Sequence, residues 1–212
     1  MKNVLILGAS GQIAQWVVRS LADGKDAALT LLLRDPKKIS GAEPANAKVV
    51  IGSVLDRKLL RQVMPGQDLV YANLTGADLD AQARNIIAAM QAAGVKRLVF
   101  VLSLGIHGEV PGKFGAWNEA AIGAELEPYR RAASLIEASG LDYTILRPAW
   151  LTDADEVDYE LTGRDEPFKG TVVSRKSVAD LIARIIASPG LHSGEDLGVN
   201  KPGTDADKPY FM

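Results

Sequence analysis

Two glycines near the start of the chain, Gly8 and Gly11, lie where the sequence changes from an apolar run to an amphipathic segment. The run Val4–Leu7 has the composition of a buried strand, and apolar residues recur at helical spacing from Ile13 onwards. A strand, a glycine turn and a helix N-terminus form an anion site, because glycine lets backbone N–H groups approach a pyrophosphate whose charge the helix dipole favours. The pattern is G-x-x-G-x-x-A, and a tight turn can also require glycine for steric reasons alone. We interpret it as a nucleotide-binding turn.

The next strand-like segment, Ala28–Leu33, is followed directly by an arginine and an aspartate, Arg34 and Asp35. An acidic residue at this place binds ribose hydroxyls, whereas an arginine accommodates a 2′-phosphate by its charge and its bidentate geometry. Arg34 comes first after the strand, Ser10 can add a hydroxyl donor, and two lysines follow. The alternative is a solvated surface loop with an Arg–Asp pair. We favour NADP as the cofactor, with NAD as the alternative.

The composition limits the other kinds of partner. The 212 residues suit one domain, 47% of them are hydrophobic, 24% are charged, and the formal charge is −2. A nearly neutral chain without a long basic run does not indicate a nucleic-acid surface, so we expect a small-molecule substrate. Cysteine is absent and the histidines, His107 and His192, are far apart, so we predict neither thiolate chemistry nor a metal site. We also expect a cytoplasmic protein without a signal peptide or membrane span.

Strand-like and helix-like segments alternate along the chain, which indicates an α/β protein with a doubly wound parallel β-sheet and helices on both faces. Leu79–Ala93 has a strong helical pattern with the following glycine as its C-cap, and Leu55–Val63 suits a shorter helix with Asp56 as a possible cap. A glycine-rich loop, Gly105–Gly115, precedes one further helix that ends near Gly140. The predicted strands after the first are Ala28–Leu33, Lys48–Ile51, Asp68–Asn73, Arg97–Leu102 and Tyr143–Leu146.

The last part of the chain differs in character. We predict a single domain over 1–212, with a dinucleotide-binding core at 1–150 and a small C-terminal lid at 151–212 that is too small to fold alone. Within the lid we predict a hairpin of Val157–Leu161 with Thr171–Val173, a helix over Val178–Ala187 capped by Ser177, and an edge strand over Glu195–Val199. Four acidic residues are interpreted as a solvated loop, namely Asp153, Asp155, Glu156 and Asp158.

Ligands of a doubly wound sheet bind outside the carboxyl ends of its strands. The predicted strand ends therefore define the candidate cofactor site, which extends from the glycine turn to the end of the last core strand. Its candidate residues are Gly8, Ser10, Gly11, Gln12, Ile13, Arg34, Ser53, Val54, Asn73, Leu74, Thr75, Gly76, Leu102, Ser103, Pro148, Ala149 and Trp150.

Several short motifs follow one another in a specific order and spacing. They are Gly8–Gln12, Leu33–Asp35, Gly52–Asp56, Gly66–Asp68, Ala83–Ile87, Gly94–Arg97 and Ser139–Pro148. In this order the chain resembles, over nearly its whole length, the atypical short-chain dehydrogenase/reductase superfamily, and most closely its compact NmrA-like and flavin (biliverdin-IXβ) reductase-like members. The resemblance implies a Rossmann-type domain with NADPH along the strand ends, Arg34 at the 2′-phosphate, the Val54 backbone near adenine and Pro148–Trp150 beside nicotinamide. Where that family carries an aspartate that contacts adenine, this chain has Ser53.

The superfamily's Tyr-x-x-x-Lys pair, in which lysine lowers the tyrosine pKa for proton transfer, does not occur in this sequence. The remaining catalytic candidates are Ser103 as a positioning hydroxyl, Tyr129 as a proton donor and His107 as a general acid. Each also has a plain structural interpretation, as a turn cap, a buried tyrosine or a solvated loop histidine. Trp117 and Trp150 are candidate apolar walls for a flat substrate, with core packing as the alternative.

Together these features favour an NADPH-dependent reductase that holds a small, flat acceptor, such as a flavin or a quinone, against the nicotinamide. One alternative is a non-catalytic NADP(H)-binding redox sensor of the NmrA-like type. Another is an NAD-dependent epimerase or dehydratase, which normally relies on the missing tyrosine–lysine pair. The predicted helices that begin near Leu79 and Tyr129 are compatible with a homodimer and do not require one.

Overall fold

Strands and helices alternate along residues 1–22, 26–39 and 44–212, the parts of the chain that the computed structural model describes. The strands are β1 (Lys2–Leu7), β2 (Ala27–Leu33), β3 (Ala47–Ile51), β4 (Leu69–Ala72), β5 (Arg97–Val101), β6 (Asp142–Pro148), β7 (Trp150–Thr152), β8 (Glu160–Thr162), β9 (Val172–Ser174) and β10 (Glu195–Asn200). The helices are α1 (Gln12–Ala22), α2 (Arg57–Val63), α3 (Leu79–Ala93), α4 (Gly112–Ile122), α5 (Glu127–Glu137) and α6 (Arg175–Ala187), with short 3₁₀ turns at Pro36–Lys38 and Gly123–Glu125.

Within this part of the chain, eight strands form one sheet in the order β3-β2-β1-β4-β5-β6-β10-β8. Neighbouring strands are parallel except β8, which runs antiparallel to β10. The chain passes from β1 to β2 and β3 on one side and resumes with β4, β5 and β6 on the other. The order therefore reverses between β1 and β4, which is where a doubly wound sheet forms its ligand crevice. The predicted α/β, Rossmann-type fold is confirmed.

The middle strands are apolar because helices cover both faces of the sheet. Every residue of β4 and β5 is buried. Helices α1 and α6 pack on one face, and α2, α3 and α5 pack on the other. Among the described helices, none combines the length and the apolar composition that crossing a membrane needs.

The helices with the clearest local signals occur as predicted. Helix α3 spans Leu79–Ala93, and Gly94 ends it in the left-handed conformation at φ +72°. Asp56 caps α2, because its carboxylate accepts the N–H groups of Lys58 and Leu59 at 2.9 and 3.0 Å.

The predicted hairpin in the C-terminal region is wrong. β8 pairs with β10, and β9 pairs in parallel with β7, so the two segments belong to different sheets. Gly198 explains the first pairing, because a Cβ atom there would lie 2.3 Å from the Thr162 hydroxyl oxygen and 2.7 Å from the Phe168 ring. β10 is consequently an interior strand between β6 and β8, not the predicted edge strand.

Two helix starts also differ from the prediction. Ser174, not Ser177, caps α6, since its hydroxyl accepts the Ser177 N–H at 2.9 Å and the helix begins directly after β9. The predicted single helix after the glycine-rich loop is two helices. Helix α4 begins at Gly112 inside that loop, and the 3₁₀ turn at Gly123–Glu125 separates it from α5.

The phenol of Tyr71 is buried in the core without a hydrogen-bond partner among the described residues. Burial raises its pKa well above the usual range, so the phenol is neutral. Because an unpaired buried hydroxyl costs about 1–3 kcal/mol, we expect Tyr71→Phe to raise the free energy of unfolding by about 1 kcal/mol in urea titrations. Tyr159→Phe is the control, because the Tyr159 hydroxyl is bonded to Asp180 and Arg184 and its loss should not stabilise the fold. A Tyr71→Phe variant less stable than the parent would contradict the assignment.

Candidate functional site

The glycine turn joins β1 to α1 at the carboxyl edge of the sheet. Gly8 has φ +80°, which glycine adopts without strain. The N–H groups of Gly8 and Ala9 donate to the Leu32 carbonyl at 2.9 and 3.2 Å, and the Gly11 N–H donates to the Gly8 carbonyl at 2.9 Å. A Cβ atom would lie 2.2 Å from the Asn73 carbonyl oxygen at Gly8, and 1.9 Å from the Asn73 side-chain nitrogen at Gly11. Both glycines therefore let the turn pack directly on the end of β4.

A cleft of about 200 Å³ opens at this turn, where the strand order reverses. The loops after β2, β3 and β4 and the start of α3 form its other sides. The cleft brings together many of the predicted cofactor-binding residues, namely Gly8, Ser10, Gly11, Arg34, Ser53, Val54, Asn73, Leu74 and Thr75. Its wall is completed by Leu32, Leu33, Lys38, Gly52, Leu55, Asp78 and Gln82.

One end of the cleft is positively charged. Arg34 and Lys38 both line it, and the Arg34 side chain makes no ion pair with the residues described. The neighbouring carboxylate of Asp35 is not part of the cleft wall. It accepts the Lys37 N–H at 3.0 Å and caps the 3₁₀ turn. The groups that face the cleft here are thus cations and the Ser10 residue of the glycine turn, a set that suits phosphate oxygens.

Tyr129, at the start of α5, contacts the segment that follows β4. Its hydroxyl and the hydroxyl of Thr75 are 2.5 Å apart. The two arginines next to it form ion pairs: Arg130 pairs with Glu119, and Arg131 pairs with Asp80 and Glu127. The Arg131 guanidinium holds the pKa of the Asp80 carboxyl below its usual range. Tyr129 therefore lies beside the cleft, and the two arginines that follow it connect α5 to α4 and to α3.

Other predicted cofactor residues lie outside this cleft, at the carboxyl ends of β5 and β6, in the segment after β4 and in the first turn of α1. The Leu102 N–H donates to the Leu146 carbonyl at 2.8 Å, which aligns the two strand ends, and the half-buried Ser103 donates its hydroxyl to the Leu104 carbonyl at 3.2 Å. The residues that do not line the cleft wall are Gln12, Ile13, Gly76, Leu102, Ser103, Pro148, Ala149 and Trp150.

The aromatic residues near the end of β6 pack on one another. The Trp150 indole N–H donates to the Asn118 side-chain oxygen at 2.9 Å. Its ring centre is 4.9 Å from that of Trp117, which in turn stacks on Phe114 at 6.2 Å. These contacts join α4 to the segment that leaves β6, and both tryptophans also contact the apolar core.

Comparison with known proteins decides the family. The sequence model of a family described as NAD(P)H-binding matches residues 8–189. The chain belongs to this NAD(P)H-binding family. A solved Rossmann-fold NAD(P)-binding family protein from Shigella flexneri is 59% identical to it, with full coverage of both chains and a TM-score of 0.87.

Two further relatives resemble this chain over most of its length. A short-chain dehydrogenase/reductase from Veillonella parvula, solved in complex with NADP, is 29% identical over 99% of both chains, with a TM-score of 0.89. The uncharacterized sugar epimerase YhfK of Bacillus subtilis is 30% identical over 83% of this chain and 79% of its own length. The predicted membership of the short-chain dehydrogenase/reductase superfamily is confirmed.

His107 of this NAD(P)H-binding protein lies in a buried charge cluster, apart from the cleft residues. One ring nitrogen is 2.8 Å from a carboxylate oxygen of Asp196. Asp196 also accepts from the guanidinium of Arg147, which binds Glu109 with another nitrogen, and all three side chains are at most 3% exposed. Glu109 in turn accepts the N–H groups of Gly105 and His107 at 2.9 and 3.0 Å. This cluster holds the loop after β5 against β6 and β10.

The sequence analysis missed this cluster, although one signal was present. Arg147 follows an apolar strand segment directly, and a charge in that position needs partners that the local sequence does not reveal. Ligand atoms of His107, Glu137 and Asp196 lie within 4.8 Å of one another. Both carboxylates already have an arginine partner, Arg147 for Asp196 and Arg164 for Glu137.

The four acidic residues after β7 are predicted to form a solvated loop, and the structure gives each of them a basic partner, with Asp158 4.0 Å from Lys201. Asp153 pairs with Arg175 at 2.8 Å, Asp155 pairs with Lys176 at 2.6 Å, and Glu156 pairs with Lys201 at 2.6 Å. These pairs connect the loop to the start of α6 and to the end of β10.

Proposed function

We propose that the protein is an NADPH-dependent reductase that transfers hydride to a small, flat acceptor such as a flavin or a quinone. The observation that carries the proposal is that Arg34 and Lys38 line the same cleft as the glycine turn. Cations beside a helix N-terminus suit a ligand with several phosphate groups.

The residues fit a dinucleotide with a 2′-phosphate better than one without it. Arg34 faces the cleft without a described ion pair, and the carboxylate that follows it, Asp35, caps the next turn. The carboxylate that does line the cleft, Asp78, comes from the segment after β4, where it accepts from the Gln82 amide at 2.7 Å. A carboxylate that bound the ribose hydroxyls would have to face the cleft from the end of β2, whereas a guanidinium there can bind a phosphate by two hydrogen bonds. The Veillonella relative was solved with NADP, which agrees with this preference.

In this proposal the cleft binds the adenosine and phosphate part of the dinucleotide. The ends of β5 and β6 bind the nicotinamide part. At about 200 Å³ the cleft is smaller than the pockets of roughly 300–1,000 Å³ that enclose whole ligands. Strands β5 and β6 follow β4 in the sheet, so Ser103 and Pro148–Trp150 lie farther along the same edge. When bound, the reduced nicotinamide supplies a hydride. The side chains orient the acceptor beside it, with Ser103 as a positioning hydroxyl and Trp150 as an apolar wall.

Proton transfer is assigned to Tyr129 in the first place. Its hydroxyl is 2.5 Å from that of Thr75 in the loop after β4, the strand beside β5 in the sheet, whereas His107 is bound to Asp196 in the charge cluster. Flavin and quinone acceptors suit such a site, because solvent can complete their protonation and little acid catalysis is required of the protein.

Removing the hydroxyl of Tyr129 or of Ser103 should lower the turnover rate without changing the affinity for the cofactor. We expect Tyr129→Phe and Ser103→Ala to lower kcat by about tenfold with unchanged affinity for NADPH. This is less than the roughly 10²–10⁴-fold effect of a required general acid, because flavin and quinone acceptors need little acid catalysis. Stopped-flow oxidation of NADPH measures the first quantity and calorimetric titration the second. Tyr210→Phe is the control, since Tyr210 lies exposed near the C-terminus. Turnover equal to the parent would remove both residues from the mechanism.

The proposed function itself is tested with purified protein, NADPH and a panel of flavins, quinones and small carbonyl compounds, by absorbance at 340 nm. Tight binding of NADPH with acceptor-dependent oxidation is the expected result. Tight binding with no oxidation across the panel would favour the redox sensor, which fits the absence of the Tyr-x-x-x-Lys pair equally well.

An epimerase is the second candidate, because the name of the Bacillus subtilis relative YhfK carries that activity. An epimerase returns the hydride to the same substrate, so it consumes no net NADPH. Conversion of a nucleotide-sugar by the protein with catalytic amounts of dinucleotide would therefore favour it over the reductase.

A further inference from the structure

Two polar side chains lie on the buried side of α3, Gln82, which lines the cleft, and Asn85, which does not. Asn85 is 8% exposed, while Ile86, Ala89 and Met90 of the same helix belong to the apolar core. A buried amide needs hydrogen-bond partners, because burial without them costs free energy. The partners of Asn85 therefore indicate why the sequence places it there.

The described partners of Asn85 come from the segment that joins β3 to α2 and from the first residue of α2. Its side-chain nitrogen donates to the carbonyls of Val54 and Leu55 at 3.4 and 3.5 Å. Its side-chain oxygen accepts from Nε of Arg57 at 2.9 Å, which fixes the orientation of the amide. One side chain thus connects α3 to Val54 and Leu55 of this segment and to Arg57 at the start of α2.

The same connection forms one wall of the cleft. Gly52, Ser53, Val54 and Leu55 all line it, whereas Asn85 does not. The wall has other contacts as well. The Gly52 N–H donates to the Leu33 carbonyl at 3.0 Å, and the Val54 side chain is buried in the apolar core. The bonds of the Leu55 N–H to the Ser53 hydroxyl at 3.2 Å and of the Asp56 N–H to the Ser53 carbonyl at 3.0 Å lie within the wall and its immediate neighbour. The carbonyls of Val54 and Leu55 point towards α3, so the opposite side of this backbone is presented to the cleft.

We propose that Asn85 is a positioning residue for the adenosine end of the cofactor. It holds the 52–55 wall at the distance from Arg34 that the ligand requires, and it acts through that wall without touching the ligand. The inference rests on the proposed cofactor function of the cleft. It predicts that the affinity for the adenosine half of the cofactor depends on a side chain outside the binding surface.

The test compares the parent protein with Asn85→Ala in calorimetric titrations of NADPH and of adenosine 2′,5′-bisphosphate. Loss of hydrogen bonds that order the wall should weaken both ligands by about tenfold, the effect of a bond worth roughly 1.4 kcal/mol. In steady-state assays, KM for NADPH should rise by about the same factor and kcat should stay within about twofold, because the nicotinamide end is unchanged. A general loss of structure would lower kcat as well.

Two further variants keep the test decisive. Asn85→Asp has the same shape and keeps an acceptor for Arg57 but lacks the donor, so it should lose as much affinity as Asn85→Ala even if the alanine variant folds poorly. Gln91→Ala is the matched control: Gln91 is a second amide of α3, and its side chain donates to the Ser139 carbonyl, outside the cleft. It should bind both ligands like the parent.

The outcomes separate this inference from the function on which it depends. If the parent binds both probes and the two Asn85 variants bind them within twofold of the parent, Asn85 has no positioning role. If the parent binds neither probe, the cleft is not a cofactor site and the proposed function itself is overturned.

Discussion

Replacing Arg147 by methionine is expected to lower the free energy of unfolding by about 3–5 kcal/mol, the cost of breaking a buried ion pair from one side. The Arg147 side chain is fully buried and contacts the carboxylates of Glu109 and Asp196 and, at 3.2 Å, the Gly163 carbonyl. Methionine has a similar length but leaves both buried carboxylates without their arginine. Urea unfolding should show a lower midpoint at an unchanged m value.

Arg164→Met is the matched control, because Arg164 makes its ion pairs with Glu137 and Asp165 at the surface. Exposed pairs contribute little, so the control should lose no more than about 1 kcal/mol. Adding Glu109→Gln and Asp196→Asn to Arg147→Met should recover part of the lost stability, since these changes remove the unpaired charges. Equal small losses in Arg147→Met and Arg164→Met would show that the cluster is not a stabilising feature of the fold.

Arg34→Ala is expected to weaken NADPH by about 10- to 100-fold while changing the affinity for NADH by less than about twofold. A hydrogen bond to a charged group contributes about 1.5–3 kcal/mol, and only NADPH carries the 2′-phosphate that Arg34 would bind. Calorimetric titration of both dinucleotides measures the two losses. The loss for NADPH should shrink at high salt, because salt screens the contribution of an exposed arginine in the parent.

Lys37→Ala and Lys38→Ala form a matched pair for this experiment. Lys38 lines the cleft and Lys37 does not, although they are neighbours in the chain and both are exposed. Lys38→Ala should weaken NADPH by a smaller factor than Arg34→Ala, and Lys37→Ala should leave it unchanged. Equal effects of Arg34→Ala on both dinucleotides would remove the 2′-phosphate assignment.

The parts of the fold that the sequence predicted well are those with local causes. Helix α3 has its apolar stripe and its Gly94 C-cap within one segment, and Asp56 lies next to the N–H groups of Lys58 and Leu59 that it caps. The strands of the core are apolar runs that end at glycine or polar residues. These local interactions do not depend on residues that are distant in the chain, so the same helices and strands occur in the folded protein.

The strand-pairing predictions that failed depended on partners far away in the chain. The two segments of the predicted hairpin have suitable composition, but Gly198 gives β8 a closer partner in β10, and β7 offers an edge to β9. The composition of a short strand does not select its pairing partner. A strand distant in the chain becomes the partner when its side chains leave space for close packing. The same reason applies to α4, whose glycines indicate a loop although the helix is packed against the core through Phe114.

By itself the sequence determined the α/β class, the doubly wound order of the core strands and the turn at Gly8 and Gly11. The hydrophobic periodicity and the turn residues that indicate these features lie within single segments of the chain. It also placed Arg34 and Ser53 at strand ends that the fold brings to one cleft. Only the tertiary structure decided that Arg147 joins Glu109 to Asp196 and that Asn85 contacts the 52–55 wall. Side-chain partners across 28 to 49 positions of the chain depend on how strands and helices pack, and no local pattern specifies that packing.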